Sequence, residues 1–217
     1  MVGYQTITAE VGFNTLSPTF TSVGVTTAST KLSDIKLGEG ATSYTDNIQV
    51  LDADGNPLTQ YYWVGEGELD GSNPAGWTED LGTISDAPID VGTAFFVECS
   101  SSTTITFAGQ VHKGGITLTS ISGFNVIGNS TPVDIPVQSI KLGEGATSYT
   151  DNIQILDPDG NPLTQYYWVG EGELDGTNKA GWTEDLGTLT EANIPAGIGF
   201  FLEMSSDDVS IEIPTAL

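Results

Sequence analysis

The chain has no arginine, five lysines, one histidine and one cysteine in 217 residues, against 29 aspartates and glutamates. The formal net charge is −24. Nucleic-acid binding depends on Lys and Arg to neutralise phosphates, so this balance excludes a nucleic-acid partner. An anionic membrane surface is disfavoured for the same reason. Excess negative charge instead keeps a protein soluble, and it suits divalent cations or a salty medium. The lone Cys99 permits no internal disulfide. No stretch approaches the roughly 18–20 apolar residues of a spanning helix, so membrane insertion is not expected. The opening MVGYQTITAE lacks the basic start and apolar core of a signal peptide. Two readings follow, a cytoplasmic chain or a mature chain already free of its signal. Abundant Thr, Ser, Gly and Asn with few basic residues favours the second, an extracellular or cell-surface location.

Catalytic signatures are also missing. His112, the single histidine, lies in the Gly-flanked stretch GQVHKGG, which reads as a hinge at 109–115. A Ser-His-Asp arrangement needs that imidazole packed beside a nucleophile. No Gly-rich loop leads into a helix, so no phosphate cradle of that kind is present. Carboxylates are plentiful, but glycoside hydrolysis needs two of them held about 5–9.5 Å apart across a cleft. Abundance alone does not supply that, and the expectation is that the protein is not an enzyme.

What the chain does contain is a repeat. Residues 36–83 recur at 141–188, and only Val50/Ile155, Ala53/Pro158, Ser72/Thr177 and Pro74/Lys179 differ. No segment keeps a helical period. Short β-rich runs alternate with Gly, Pro, Asn and Asp clusters, which is the pattern of an all-β sandwich. The expectation is two tandem homologous β-sandwich-like domains, jelly-roll or Ig-like, from an internal duplication, at 1–110 and 111–217. Strands are expected at 4–11, 47–51, 59–64, 92–99 and from Thr103, with counterparts in the second copy. The first copy is longer between Phe20 and Leu32, which reads as a surface loop. Cys99 aligns with Met204, so that position reads as buried and apolar.

Short motifs carry a resemblance. GFNTLSP and GFNVIGN, with GTAFFVE and GIGFFLE and the following TFAGQV, resemble the opening and closing strands of bacterial secreted and cell-surface β-repeat modules. The resemblance implies a surface-exposed repeat module of poorly known role, and no catalytic residue. The acidic GEGELDG stretch is not part of that pattern.

The candidate site is the polar stretch 65–83 and its copy 170–188. It has almost no strand-forming content, and a connection this long is usually functional or folded on itself. Glu66, Glu68, Asp70 and Asn73, with Trp77 as anchor, form the binding or assembly loop. Glu171, Glu173, Asp175, Asn178 and Trp182 repeat it. Hard cations want several oxygen ligands. Calcium is therefore the candidate cofactor, at Glu66, Glu68 and Asp70 with Glu171, Glu173 and Asp175, or at the turn acids Asp52, Asp54, Asp157 and Asp159. DADGN and DPDGN also read simply as hairpin turns capped by their own acids. Tyr61, Tyr62, Trp63 and Trp77 could form an aromatic platform for glycans. Free β-edges at the chain ends, or head-to-tail stacking of the repeats, point instead to self-assembly. The leading expectation is a structural subunit of a bacterial surface filament, layer or appendage. The alternative is an adhesin-like carbohydrate- or cell-surface-binding module.

Overall fold

The computed structural model describes residues 2–24, 28–51 and 56–214. Ten strands fill the first half: β1 (Val2–Ala9), β2 (Gly12–Leu16), β3 (Ser29–Lys31), β4 (Ile35–Leu37), β5 (Asn47–Leu51), β6 (Pro57–Val64), β7 (Gly76–Thr78), β8 (Pro88–Asp90), β9 (Phe95–Cys99) and β10 (Thr103–Gln110). Ten more follow in the same order: β11 (Ile116–Thr119), β12 (Gly123–Gly128), β13 (Ile135–Pro136), β14 (Lys141–Leu142), β15 (Asn152–Leu156), β16 (Pro162–Val169), β17 (Gly181–Thr183), β18 (Asn193–Ile194), β19 (Gly199–Met204) and β20 (Ser210–Ile213). The fold is all-β, as the residue pattern predicts. Among the described residues no helix is long and apolar enough to cross a membrane.

In the first half a five-stranded antiparallel sheet, β2-β9-β5-β6-β7, faces a three-stranded sheet, β1-β10-β4, and β3-β8 form a two-stranded ribbon. The second half repeats this as β12-β19-β15-β16-β17, β11-β20-β14 and β13-β18. Period-two alternation explains the layering. On β9, Phe95, Val97 and Cys99 point inward while Phe96 and Glu98 point outward. On β10, Ile105 and Phe107 point inward. Phe95 and Phe107 meet edge-to-face across the sheets, with ring centroids 6.3 Å apart. Cys99 and Met204 are both buried, as their alignment predicts.

Four expectations need correction. The strand expected from Gly92 starts at Phe95, because Gly92 takes a positive φ of 93° and turns the chain. The stretch 65–83 is not strandless, since its middle is β7, at the edge of the larger sheet. The insertion after Phe20 is not all surface loop: Phe20 is buried and β3 pairs with β8. Gly109 and Gln110 are not hinge. They end β10, where Gln110 exchanges backbone hydrogen bonds with Thr21. A Cβ at Gly109 would run into the Thr21 carbonyl, so the residue serves close packing.

The halves meet across a local two-fold arrangement. Leu16 bridges to Ile198, and its counterpart Ile127 bridges to Thr93, the counterpart of Ile198. The Ser17 amide donates to Gly197 O at 2.9 Å, and the Gly128 amide donates to Gly92 O at 3.1 Å. The rings run palindromically: Phe13–Phe96 at 5.7 Å, Phe96–Phe201 at 5.9 Å and Phe201–Phe124 at 5.8 Å. Such a contact uses each partner's patch once and closes on itself. This corrects the head-to-tail expectation, because repeating the internal junction cannot extend a filament. Any extended assembly must use another surface.

Candidate functional site

The stretch from Gly65 to Ala75 is a compact loop built on side-chain capping. Asn73 is its hub and is buried. Its Oδ1 accepts the Leu69 amide at 2.8 Å, and its Nδ2 donates to the carbonyls of Gly65 and Pro74, each at 3.0 Å. Asp70 Oδ1 accepts the amides of Ser72 and Asn73, both at 2.8 Å. Glu68 Oε2 accepts the Gly65 amide at 3.0 Å. Asn178, Asp175 and Glu173 make the matching bonds in the second copy. Glu68 and Asp70 therefore spend acceptor capacity on the loop backbone. Hydrogen bonds from Ser43 and the Gly65 amide hold the Glu68 carboxyl below its ordinary pKa. The Ser72 amide and hydroxyl, then the Asn73 amide, do the same for Asp70. Glu66 and Glu171 are exposed and make no hydrogen bond among the described residues.

Trp77 anchors the loop as expected, but it cannot touch a partner. It and Trp182 are 0% exposed. Trp77 packs edge-to-face on Trp63 at 5.1 Å, and its Nε1 donates to Ile35 O on the opposing sheet at 2.7 Å. Trp182 repeats this on Ile140 O at 2.8 Å. Each indole thus ties the edge of one sheet to the edge of the other.

Sequence reasoning missed the loop's backbone outliers. Tyr44 (φ 62°) and Leu81 (φ 57°) occupy the left-handed region, and so do Tyr149 (63°) and Leu186 (59°). A bulky residue there costs roughly 1–2 kcal/mol relative to right-handed backbone. Both tyrosines are 44% exposed and both leucines 51%, so burial of the side chains does not explain them. Tyr44 Oη donates to Glu68 O at 2.8 Å, which sets its ring against the acidic loop. Asp80 Oδ1 accepts the Gly82 amide at 2.9 Å and the Thr83 amide at 3.1 Å, and this forces the chain through Leu81. Residue types alone do not reveal backbone sign at a non-glycine position. A second missed element is Asp46, fully buried, whose carboxylate accepts Thr42 N at 2.7 Å, Ser100 N at 2.8 Å and Ser100 Oγ at 2.7 Å. Asp151 does the same in the second half.

The proposed aromatic platform is not formed as expected. Tyr61, Trp63 and Trp77 face the core, and only Tyr62 of the four faces outward. The outward face instead carries a cross-strand row, Phe13–Glu98–Asn47–Tyr62–Thr78, beside Thr15–Phe96–Gln49–Gln60. Asn47 Nδ2 donates to Glu98 Oε2 at 2.9 Å, Gln49 Nε2 to Asn47 Oδ1 at 3.0 Å, and Tyr62 Oη to Gln60 Oε1 at 3.1 Å. The second half repeats the network through Asn152, Gln154, Glu203, Gln165 and Tyr167.

The turn acids divide. Asp52 and Asp54 lie outside the described residues. Asp157 Oδ1 accepts the amides of Asp159 at 3.0 Å and Asn161 at 2.8 Å, so it caps its hairpin. Among the described residues no three His, Cys, Asp or Glu side chains converge as a metal shell. Burial, then Asp46 and Glu98, push the Cys99 thiol up to about 12, the chemistry of a core residue rather than a nucleophile. His112 makes no hydrogen bond to a nucleophile or carboxylate among the described residues.

A scan against family models, a search of curated proteins and a search of solved structures each found no match.

Proposed function

We propose that the protein is a structural subunit of an extracellular assembly, a bacterial surface filament, layer or appendage, which contacts its neighbours through the repeated loop surface. The observation that carries this reading is the set Tyr44, Leu81, Tyr149 and Leu186. Each is large, substantially exposed and held in left-handed backbone. Stability alone favours Gly or Asn at such positions, and strain kept at an exposed bulky residue marks a contact site. The repeat places the same contact twice on one chain, as a bivalent linker requires. Replacing both Leu81 and Leu186 with Asn, which tolerates this backbone, raises stability by up to about 1 kcal/mol per site while weakening assembly. Thermal melts and electron micrographs of the wild type and this double variant test both halves of that statement. Loss of stability with unchanged assemblies would overturn it.

A second reading has its own support. The outward rows carry the half-buried Gln49, Gln60, Glu98 and Tyr62, a set of hydrogen-bonding groups beside an aromatic ring that suits polyhydroxylated glycans. A strictly monomeric chain that binds glycans, and loses them on Tyr62→Ala, would favour that adhesin-like reading over the structural one.

A further inference from the structure

We infer that the free edge of β1 is a self-pairing site, at which two copies of this chain join their three-stranded sheets antiparallel across a two-fold axis. This rests on the assembly reading and names one of its contacts. The other long edges are occupied. The β2 edge is taken by the junction, where the Phe13 amide donates to Pro158 O and the Ser17 amide to Gly197 O, both at 2.9 Å. The β7 edge is closed by the Ser85 amide on Trp77 O at 2.7 Å, and the Ile35 carbonyl of β4 is held by the Trp77 indole. Strand β1 is eight residues long and pairs only with β10. Among the described residues no backbone hydrogen bond reaches it from any other strand or loop. An edge of this length presents unpaired backbone donors and acceptors unless something blunts it.

Nothing blunts this one. VGYQTITA contains no charge, no proline and no bulge. Its outward face shows Tyr4 at 76% exposure, the most exposed large apolar side chain among the described residues, and Val2 at 67%, close behind Leu58 and Leu163. The occupant follows from charge and register. A cationic partner would be drawn to the acidic loops and would find no ion pair along this strip. A second copy finds no like charge there, although the molecule as a whole carries −24. Within the inner face, Gln5 Nε2 reaches Ala196 O at 3.5 Å, so the 195–198 segment lies beside the distal part of the strand. The Gln5 side chain is thus engaged on the inward face, and what stays open over Val2–Thr6 is the backbone edge with the outward side chains of Val2, Tyr4 and Thr6. A two-fold through Tyr4 sets Tyr4 against Tyr4 and Val2 against Thr6 on the outward face, with Gly3 against Gln5 on the inward face. Aromatic and β-branched pairs of this kind stabilise antiparallel ladders. The counterpart strand β11 has only four residues, so the pairing gives a closed dimer rather than an open polymer.

Long-range repulsion between two acidic bodies makes the dimer salt-promoted. Sedimentation of the full chain at about 0.01 M and about 1 M salt spans a screening length from about 30 Å to about 3 Å. A monomer is expected in the first and a concentration-dependent dimer in the second. Tyr4→Lys places like charges opposite each other and weakens that dimer about tenfold or more, while the melting temperature of the low-salt monomer stays unchanged. Amide exchange provides a second readout, with Val2–Thr6 gaining protection only in the dimer. A dimer indifferent to Tyr4→Lys, or one without new protection on β1, overturns the proposal. Assemblies at 1 M salt in which the Val2–Thr6 amides gain no protection overturn β1 pairing and leave the assembly reading standing. Absence of both removes the two together.

Discussion

The two halves share a nearly identical block, yet they attach it to their sheets differently. In the first half Lys36 is half-buried and its Nζ donates to Ala75 O at 2.6 Å. In the second half the same residue, Lys141, is exposed, and Gln138 takes over the anchoring. The Gln138 amide group donates to Trp182 O and accepts the Trp182 amide at 3.1 Å. The cause lies in the diverged flanks. Asp34 and Asp86 attract the first lysine, and their counterparts are Ser139 and Glu191. Ser33 is too short to reach where Gln138 does. The capping bonds inside the loop are nevertheless the same in both copies. The loop is thus a self-contained unit whose shape is set within the block, and neighbours outside it decide only how it is tethered.

The comparison can be broken most severely in the core. Phe95→Ala and Phe200→Ala each remove a fully buried ring and are expected to cost about 3–5 kcal/mol. Calorimetry of the two variants should give matching losses. A gap of several kcal/mol would mean that the cores are not equivalent. Next come the sheet-bridging indoles. Trp77→Phe and Trp182→Phe strand a carbonyl and leave a void, a loss of about 1–3 kcal/mol that denaturant melts should show as equal in the two halves.

The tethers are where the halves must differ. Gln138→Ala leaves the Trp182 amide without this partner and is expected to cost about 1–2 kcal/mol. Lys36→Met should cost less than about 1 kcal/mol, because a half-exposed ammonium is screened by solvent, and Lys141→Met should fall within about 0.5 kcal/mol of zero. Desolvation lowers the Lys36 pKa, against the pull of Asp34 and Asp86. The folded chain therefore releases that proton at lower pH than the unfolded chain does. The burial penalty is present below the folded pKa and is lifted as pH rises toward 10.5, so wild type should gain on Lys36→Met across that window. A pH series of melts that shows the opposite slope would mean that the pull of Asp34 and Asp86, with the Ala75 hydrogen bond, outweighs burial at Lys36.

The smallest effect is shared by both halves. Backbone and side-chain hydrogen bonds depress the carboxyl pKa values of Glu68, Asp70 and Asp80, and of Glu173, Asp175 and Asp185. Their contribution is present above the ordinary carboxylate pKa and is lost as pH falls through the folded values. Loop resonances followed by NMR below about pH 4 should shift in parallel in the two copies. Loosening of one loop alone would contradict their identical capping.

Particular residues show how far the chain could be read before it folded. The alternation in FFVEC separates Phe95, Val97 and Cys99 from Phe96 and Glu98 without any structure, and the strand confirms it. The Cys99/Met204 alignment places that site inside. The acids of GEGELDG were legible as a special loop, but not as caps, because a hydrogen bond to a neighbouring amide depends on backbone angles. For the same reason Tyr44 and Leu81 passed unnoticed. Trp63 and Trp77 looked equally able to face a sugar or a core, and only the facing sheet decided between them.

Local chemistry was therefore sufficient for the all-β class, the inward positions of the strands and the existence of two matching blocks, since each follows from period-two alternation and direct comparison of residues. Tertiary structure alone decided the palindromic junction of Phe13, Phe96, Phe201 and Phe124, the burial of the indoles, the tether at Lys36 or Gln138, and which edge stays open. Those depend on residues far apart in the chain meeting at defined distances, and no single stretch of sequence carries that information.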